Sequence, residues 1–230
     1  MGFQTWGDFY HSDLQSLWLL VVLPTLFLAY LLLRGRPAGT RRERFLRGFA
    51  LVFGVETLLD PLATGPLTRA LGLSEGAATA LMLPFVWLGD FRVLLLLCAE
   101  GGGAPDLGAA ARRAAALTCL VPAAAALLYA PAWLGLADWP GQVLWLVYEV
   151  GFTALAAWLC LRAPDPALRA IALYACVYYA LWAAADVLIL LGVDAGWGLR
   201  VIPNQLYYAF FVPFAWFRLT RGEPRASTPG

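Results

Sequence analysis

The chain has 230 residues, 61% of them hydrophobic and only 13% charged, with a formal net charge of +1. Soluble domains carry about a quarter charged residues, so a mean hydropathy of +0.70 excludes an ordinary water-soluble fold. The near-neutral balance gives no basic surface for nucleic acid. What remains is an all-α polytopic membrane protein, because lipid offers no partner for backbone N–H and C=O groups outside helices and closed barrels.

Seven apolar stretches follow in chain order, at 14–33, 48–63, 77–99, 114–134, 142–161, 170–191 and 200–219. Crossing a bilayer core takes about 20 helical residues, so the second is short unless its flanks extend it. Short loops join them into a single seven-helix domain over residues 1–230. The first stretch is expected to be a retained helix rather than a cleaved signal peptide. Asp8 and Asp13 precede it, no basic residue does, and no small-residue cleavage site comes before the arginines.

The chain contains no lysine, so arginine sets the orientation. Arg34, Arg36, Arg41, Arg42, Arg44 and Arg47 crowd the first connection, Arg112 and Arg113 the third, Arg162 and Arg169 the fifth, and Arg218, Arg221 and Arg225 the C-terminal end. The alternate connections hold only Arg69 and Arg200. The positive-inside rule predicts an outside N-terminus and a cytoplasmic C-terminus, in the cell (inner or plasma) membrane. The first arginine cluster is read as a topology signal, with contact to anionic lipid headgroups as the alternative. Cys98, Cys119, Cys160 and Cys176 form no Cys-x-x-Cys pair and read as small apolar packing residues.

Echoes recur at offsets of about 127 to 130 residues. Leu17-Trp18-Leu19 matches Leu144-Trp145-Leu146, Pro84-Phe85-Val86-Trp87 matches Pro213-Phe214-Ala215-Trp216, and Glu56 matches Asp186. They predict a 3+1+3 plan in which parallel units 14–99 and 142–219 are joined by helix four, 114–134.

Ionisable residues inside a membrane are costly and generally face a bundle interior with a partner. Glu56 and Asp60 share a face of helix two, Asp90 and Arg92 lie near the middle of helix three, Glu149 in helix five, Asp186 in helix six, and Asn204 and Gln205 in helix seven. Depths counted from the cytoplasmic ends put Glu56, Asp90 and Arg92 in one layer, with Arg92 as counter-ion. Asp186, Asn204, Gln205 and Asp60 fall in a shallower outer layer, and Glu149 lies between. A structural ion-pair cluster is one reading of these groups. The acids outnumber the buried arginine, however, so at least one is expected to be a neutral carboxyl, which can carry or donate a proton. Tyr174, Tyr178, Trp182 and Asp186 form one stripe on helix six, and Asn204, Tyr207, Tyr208 and Phe211 another on helix seven. Trp87 stands one turn before Asp90, and Trp145 one turn before Glu149. These stripes predict an aromatic-walled cavity containing acids.

Several chemistries lack their residues. His11 is the only histidine, which excludes multi-histidine metal enzymes and a Ser/His/Asp triad. No Asp-Asp-x-x-Asp run is present for Mg²⁺-diphosphate, and Gly101-Gly102-Gly103 lacks the Gly-Lys of a phosphate loop. No metal or cofactor is expected. The absence of lysine removes the retinal attachment of microbial rhodopsins, whose seven-helix, N-outside plan this chain resembles.

Length, helix number and acid placement resemble the integral-membrane terpene cyclases of meroterpenoid pathways. Glu56 matches the glutamate of their second helix, and Trp87-Leu88-Gly89-Asp90 their Trp-x-x-Asp. Asn204-Gln205-Leu206-Tyr207 stands where they carry an acid followed three residues on by tyrosine, and Val55 replaces the aromatic before the glutamate. The resemblance implies protonation of a polyprenyl epoxide or alkene by Glu56, with Asp90 and Arg92 setting its protonation. The carbocation would be steered by aromatic faces. It implies Asp186 as a further catalytic acid, and Trp87, Arg92, Glu149, Tyr178, Trp182, Asn204 and Tyr207 around a lipophilic substrate. The 3+1+3 echo also resembles sugar-efflux (SWEET, PQ-loop) carriers, with Val201-Ile202-Pro203-Asn204 like their Pro-Asn pair, although the Pro-Gln dipeptide is missing. That resemblance implies a transported solute, with Glu56, Asp90 and Asp186 suited to proton coupling. A sensor or assembly subunit is the third alternative.

Overall fold

The computed structural model describes residues 3–34, 39–101 and 106–220. Arg36, Gly102, Gly103, Arg221 and Arg225 lie outside them. Among the described residues the protein is all-helical. A short helix α1 (Trp6–Tyr10) precedes a π-spaced stretch, Leu14–Leu19, that runs into α2 (Leu20–Arg34). Helix α3 (Arg41–Leu62) continues through a second π stretch (Ala63–Leu67) into the single turn α4 (Thr68–Ala70). Then come α5 (Glu75–Glu100), α6 (Leu107–Trp133), α7 (Gly141–Arg162) and α8 (Pro166–Leu190). The last segment is built of α9 (Ala195–Asn204), a π stretch (Gln205–Phe210) and α10 (Phe211–Thr220).

Sequence punctuation explains these boundaries. Thr40 and Glu43 close a capping box at the start of α3, satisfying amide groups that the first turn leaves without partners. Because the Thr40 and Gly39 amides hold the Glu43 carboxylate, its pKa lies below the ordinary value. Asp165 accepts from the Ala167 and Leu168 amides, with Pro166 at the first helical position of α8. After α8 the chain turns at Gly192, whose φ of 75° is the left-handed conformation glycine adopts without strain. The second apolar stretch is longer than its hydropathy suggests, since Arg41–Leu62 is helical throughout.

Four helices are long and apolar enough to cross a membrane: Gly76–Glu100, Leu107–Trp133, Gly141–Arg162 and Pro166–Leu190. Leu17–Leu33 is a shorter apolar helix. The distribution of polarity suits that solvent. Leu33 and Leu161 are each 84% exposed and Leu127 76%, whereas Arg92 and Asp186 are fully buried. In water this would be an inverted arrangement; in lipid it places apolar groups outward and charge inward.

Each long segment packs against its neighbours in the chain, and the last returns to α2 through its π stretch, closing a ring. Contacts from α3 to α10 and from α5 to α8 cross the ring and fill its centre. At one end, Arg42 Nε donates to Glu100 at 2.6 Å and its Nη2 reaches the Leu219 carbonyl at 3.5 Å, with Leu168 packed beside Gly101. At the other end Asp13 pairs with Arg69. There too the Asp194 carboxylate accepts from the Trp6 and Gly7 amides at 2.7 and 3.1 Å, tying α1 to the start of α9. Among the described residues, Arg41, Arg42, Arg44, Arg169 and Arg218 thus lie toward the first of these ends.

Candidate functional site: two buried charge centres

Arg92 is the largest fully buried side chain among the described residues. Its Nη1 donates to Glu56 Oε2 at 2.7 Å and its Nη2 to the backbone carbonyl of Tyr207 at 2.6 Å. The guanidinium carbon lies 4.3 Å from the Tyr207 ring centroid and 5.5 Å from that of Phe211. Such stacking is worth more when water is excluded.

The accepting carbonyl lies in an irregular part of the last segment, where the backbone widens to π spacing over Gln205–Phe210. Two consecutive carbonyls of that stretch accept side-chain donors. Leu206 takes the Tyr174 hydroxyl at 3.0 Å and Tyr207 takes Arg92. Short π stretches are frequent at functional sites, and this one is gripped from both sides.

Asp90 lies only two residues from Arg92, which on an α-helix is a rotation of about 200°. It therefore faces away from the Arg92–Glu56 pair. Its two oxygens accept hydrogen bonds from the hydroxyls of Tyr148 on α7 and Tyr179 on α8. Beside it runs a narrow apolar crevice of about 10 Å³ whose lining includes Val93, Leu97, Phe152, Leu155 and Tyr179. Gly89 permits the helix-seven contact, because a β-carbon there would fall 1.6 Å from the Tyr207 hydroxyl oxygen. Small residues serve this purpose where membrane helices approach closely. Asp60, on the Glu56 helix, accepts from Thr64 at 3.3 Å and keeps Oδ2 buried without a donor.

The second centre is built on Arg200 of α9. Its Nη1 pairs with Asp186 of α8, and its Nη2 lies 3.4 Å from Glu149 Oε1 of α7. Asp186 is fully buried and Glu149 nearly so. One turn further along α9, Asn204 accepts from Trp182 Nε1 at 2.8 Å and donates to the Tyr10 hydroxyl at 3.3 Å. The Tyr10 ring, on α1, lies 5.8 Å from the Arg200 guanidinium carbon. Arg92 is eight residues from Glu100, and Arg200 nineteen from Leu219. At 1.5 Å per residue they sit about 12 and about 28 Å from the arginine-rich end.

Most of the residues expected from the sequence therefore belong to one of two groups. Glu56, Arg92, Asp90, Tyr178 and Tyr207 make the inner one. Glu149, Asp186, Trp182 and Asn204 make the outer one. Trp87 joins neither; it stacks on Phe91 at 4.8 Å and its indole N–H points to Cys119 on α6 at 3.4 Å. Glu149, intermediate in depth, joins the outer acids through Arg200, and the Tyr207 face is occupied by Arg92. Tyr178 sits amid Tyr174, Tyr179, Trp182 and Tyr207, its hydroxyl buried without a partner. The sequence pattern does not single out Arg200, Tyr148 or Tyr179. Arg200 reads as a loop charge until its position one turn before Asn204 is weighed. The two tyrosines carry no comparable signal, because their contact with Asp90 depends on how α7 and α8 are turned.

Compared with protein family models, curated proteins and solved structures, the chain matches none. Among the described residues no group of three or more His, Cys, Asp or Glu is placed to hold a metal ion.

Proposed function

We propose that the chain crosses the cell membrane seven times, with its N-terminus outside and its C-terminus in the cytoplasm. Within the bilayer it acts as a terpene-cyclase-like, lipid-modifying enzyme that works by proton donation. The outward leucines and the gathering of arginine-rich connections at one end support the topology. One observation carries the chemistry: Asp90 is buried at an apolar crevice, bonded to two tyrosine hydroxyls rather than to a cation.

The division of labour differs from the one the sequence alone suggests. Glu56 is committed to Arg92 at 2.7 Å and serves as its counter-ion, so the proton donor is Asp90. Its proton passes to the oxygen of an isoprenoid epoxide as the carbon–oxygen bond breaks. A substrate alkene attacks the resulting carbocation to form the ring bond. A carbon-bound proton then leaves to a carboxylate, so substrate and product are isomers and no redox partner is consumed. Tyr148 and Tyr179 orient the carboxyl, and the Tyr179 and Phe152 rings, stacked on each other at 4.9 Å, line the crevice. The substrate reaches it from the lipid by parting α5, α7 and α8, which close the crevice to about 10 Å³ in its absence.

The test is turnover of a linear isoprenoid bearing a terminal epoxide by protein in lipid nanodiscs, read by mass spectrometry as a product of unchanged mass and altered retention. Asp90→Asn is expected to lower the rate by roughly 10²- to 10⁴-fold, the usual worth of a general acid. Absence of any isomeric product from the wild-type protein overturns the reading. A second reading, a proton-coupled solute carrier, is favoured by the stacking of two charge centres along one ring. It predicts uptake into liposomes driven by a pH gradient.

A further inference from the structure

The outer centre contains two acids and one cation, and its remaining oxygens indicate what balances them. Glu149 Oε2 and Asp186 Oδ2 are both buried with no hydrogen-bond donor. Both carboxyls are held on one guanidinium, Asp186 on Nη1 and Glu149 3.4 Å from Nη2. Two carboxylates are acceptors only, so neither can serve the other's free oxygen without a proton between them. The groups facing the pair are Arg200 from α9, Tyr10 from α1 and Gln142 beside Asp186. Gln142 Nε2 is itself buried and unpartnered. It could satisfy one oxygen, yet being neutral it leaves the excess negative charge untouched. Like charges this close do not both ionise in a low-dielectric interior.

We propose that Glu149 and Asp186 form a binding site for one proton, shared between the two carboxyls and held beneath the α1 cap by Arg200. The site is separate from Asp90, with its own arginine, and its occupancy does not depend on what the inner centre does. The proton supplies the missing donor, reduces two negative charges to one, and leaves that one matched by Arg200. Tyr10 on α1 covers Arg200, so exchange with the outside solution runs past α1.

Infrared spectra of the protein in nanodiscs test this, through the C=O stretch of protonated carboxyls and its downshift in D₂O. Wild-type protein at neutral pH is expected to show the band. Glu149→Gln and Asp186→Asn are each expected to lose one carboxyl's intensity, because the surviving acid then pairs with Arg200 as a carboxylate. Arg200→Gln is expected to gain one carboxyl's intensity, since both acids must then be neutral. Circular dichroism of each variant checks that it is folded. Absence of the band from wild-type protein overturns the site without any variant. So does its undiminished persistence in either Glu149→Gln or Asp186→Asn.

Discussion

The two arginine centres use the same ingredients and are built differently. Arg92 is enclosed on every side, held by a carboxylate, a main-chain carbonyl and two aromatic faces. Arg200 spans two carboxylates near an end of the ring and is covered by a five-residue helix that other contacts hold in place. The inner centre is thus part of how the helices pack, whereas the outer one lies near an end of the ring beneath α1. Among neighbouring segments, α7 and α8 contribute to both, Tyr148 and Tyr179 facing inward and Glu149 and Asp186 outward.

Removing each cation is the strongest way to break that contrast. Arg92→Met strands Glu56 and opens the Tyr207 carbonyl, and losing one partner of a buried pair costs about 3–5 kcal/mol. The variant is expected to lose most of its folded yield, measured by size-exclusion in detergent. Arg200→Met, where the acids can take up protons from the nearby outer solution, is expected to remain folded at wild-type yield. Equal loss from both would show that the outer centre is equally structural. A smaller effect separates the cap from the charges it covers. Asp194→Ala removes the acceptor for the Trp6 and Gly7 amides and is expected to cost about 1 kcal/mol, the usual worth of a helix cap. It should raise hydrogen exchange in residues 6–11 while leaving α5 and α8 unchanged.

The smallest effect lies at the opposite end, in the capping box of α3. The Glu43 pKa is depressed in the folded protein by amide hydrogen bonds. Its stabilising contribution is therefore complete above the ordinary value of 4.5 and is lost as pH falls through the lower folded value. Acidification should loosen residues 39–44 before the helix centres, and Glu43→Gln should remove that pH dependence in hydrogen exchange.

The sequence made depth legible and direction much less so. Glu56, Asp90 and Arg92 fall in one layer because rise per residue accumulates predictably along regular helices. Depth alone groups Arg92 with Asp90 as well as Glu56, although a two-residue separation already points the side chains apart. Helix six shows the same limit: a four-residue stripe singles out Tyr178, while the phenol that reaches Asp90 belongs to the adjacent Tyr179. Hydropathy begins the last segment at Arg200 and so reads it as a loop charge, whereas α9 starts five residues earlier at Ala195. The α1 helix leaves little periodicity to read, and its position depends on Asp194, 188 residues away from Trp6. Membrane character, by contrast, followed from composition alone.

The π stretch of the last segment has a consequence for how this chain can vary in length. A π turn closes a full rotation with one residue more than the α turn it replaces, so deleting a single residue between 205 and 210 is expected to return the backbone to regular helix with Arg200 and Asn204 still in phase with Phe211. What the deletion removes is the widened turn whose Leu206 and Tyr207 carbonyls accept Tyr174 and Arg92. The same deletion in the regular helix on either side would instead turn the flanking residues by about 100°. The extra residue acts as local slack, and the segment that carries it is expected to absorb a one-residue deletion that its neighbours would not.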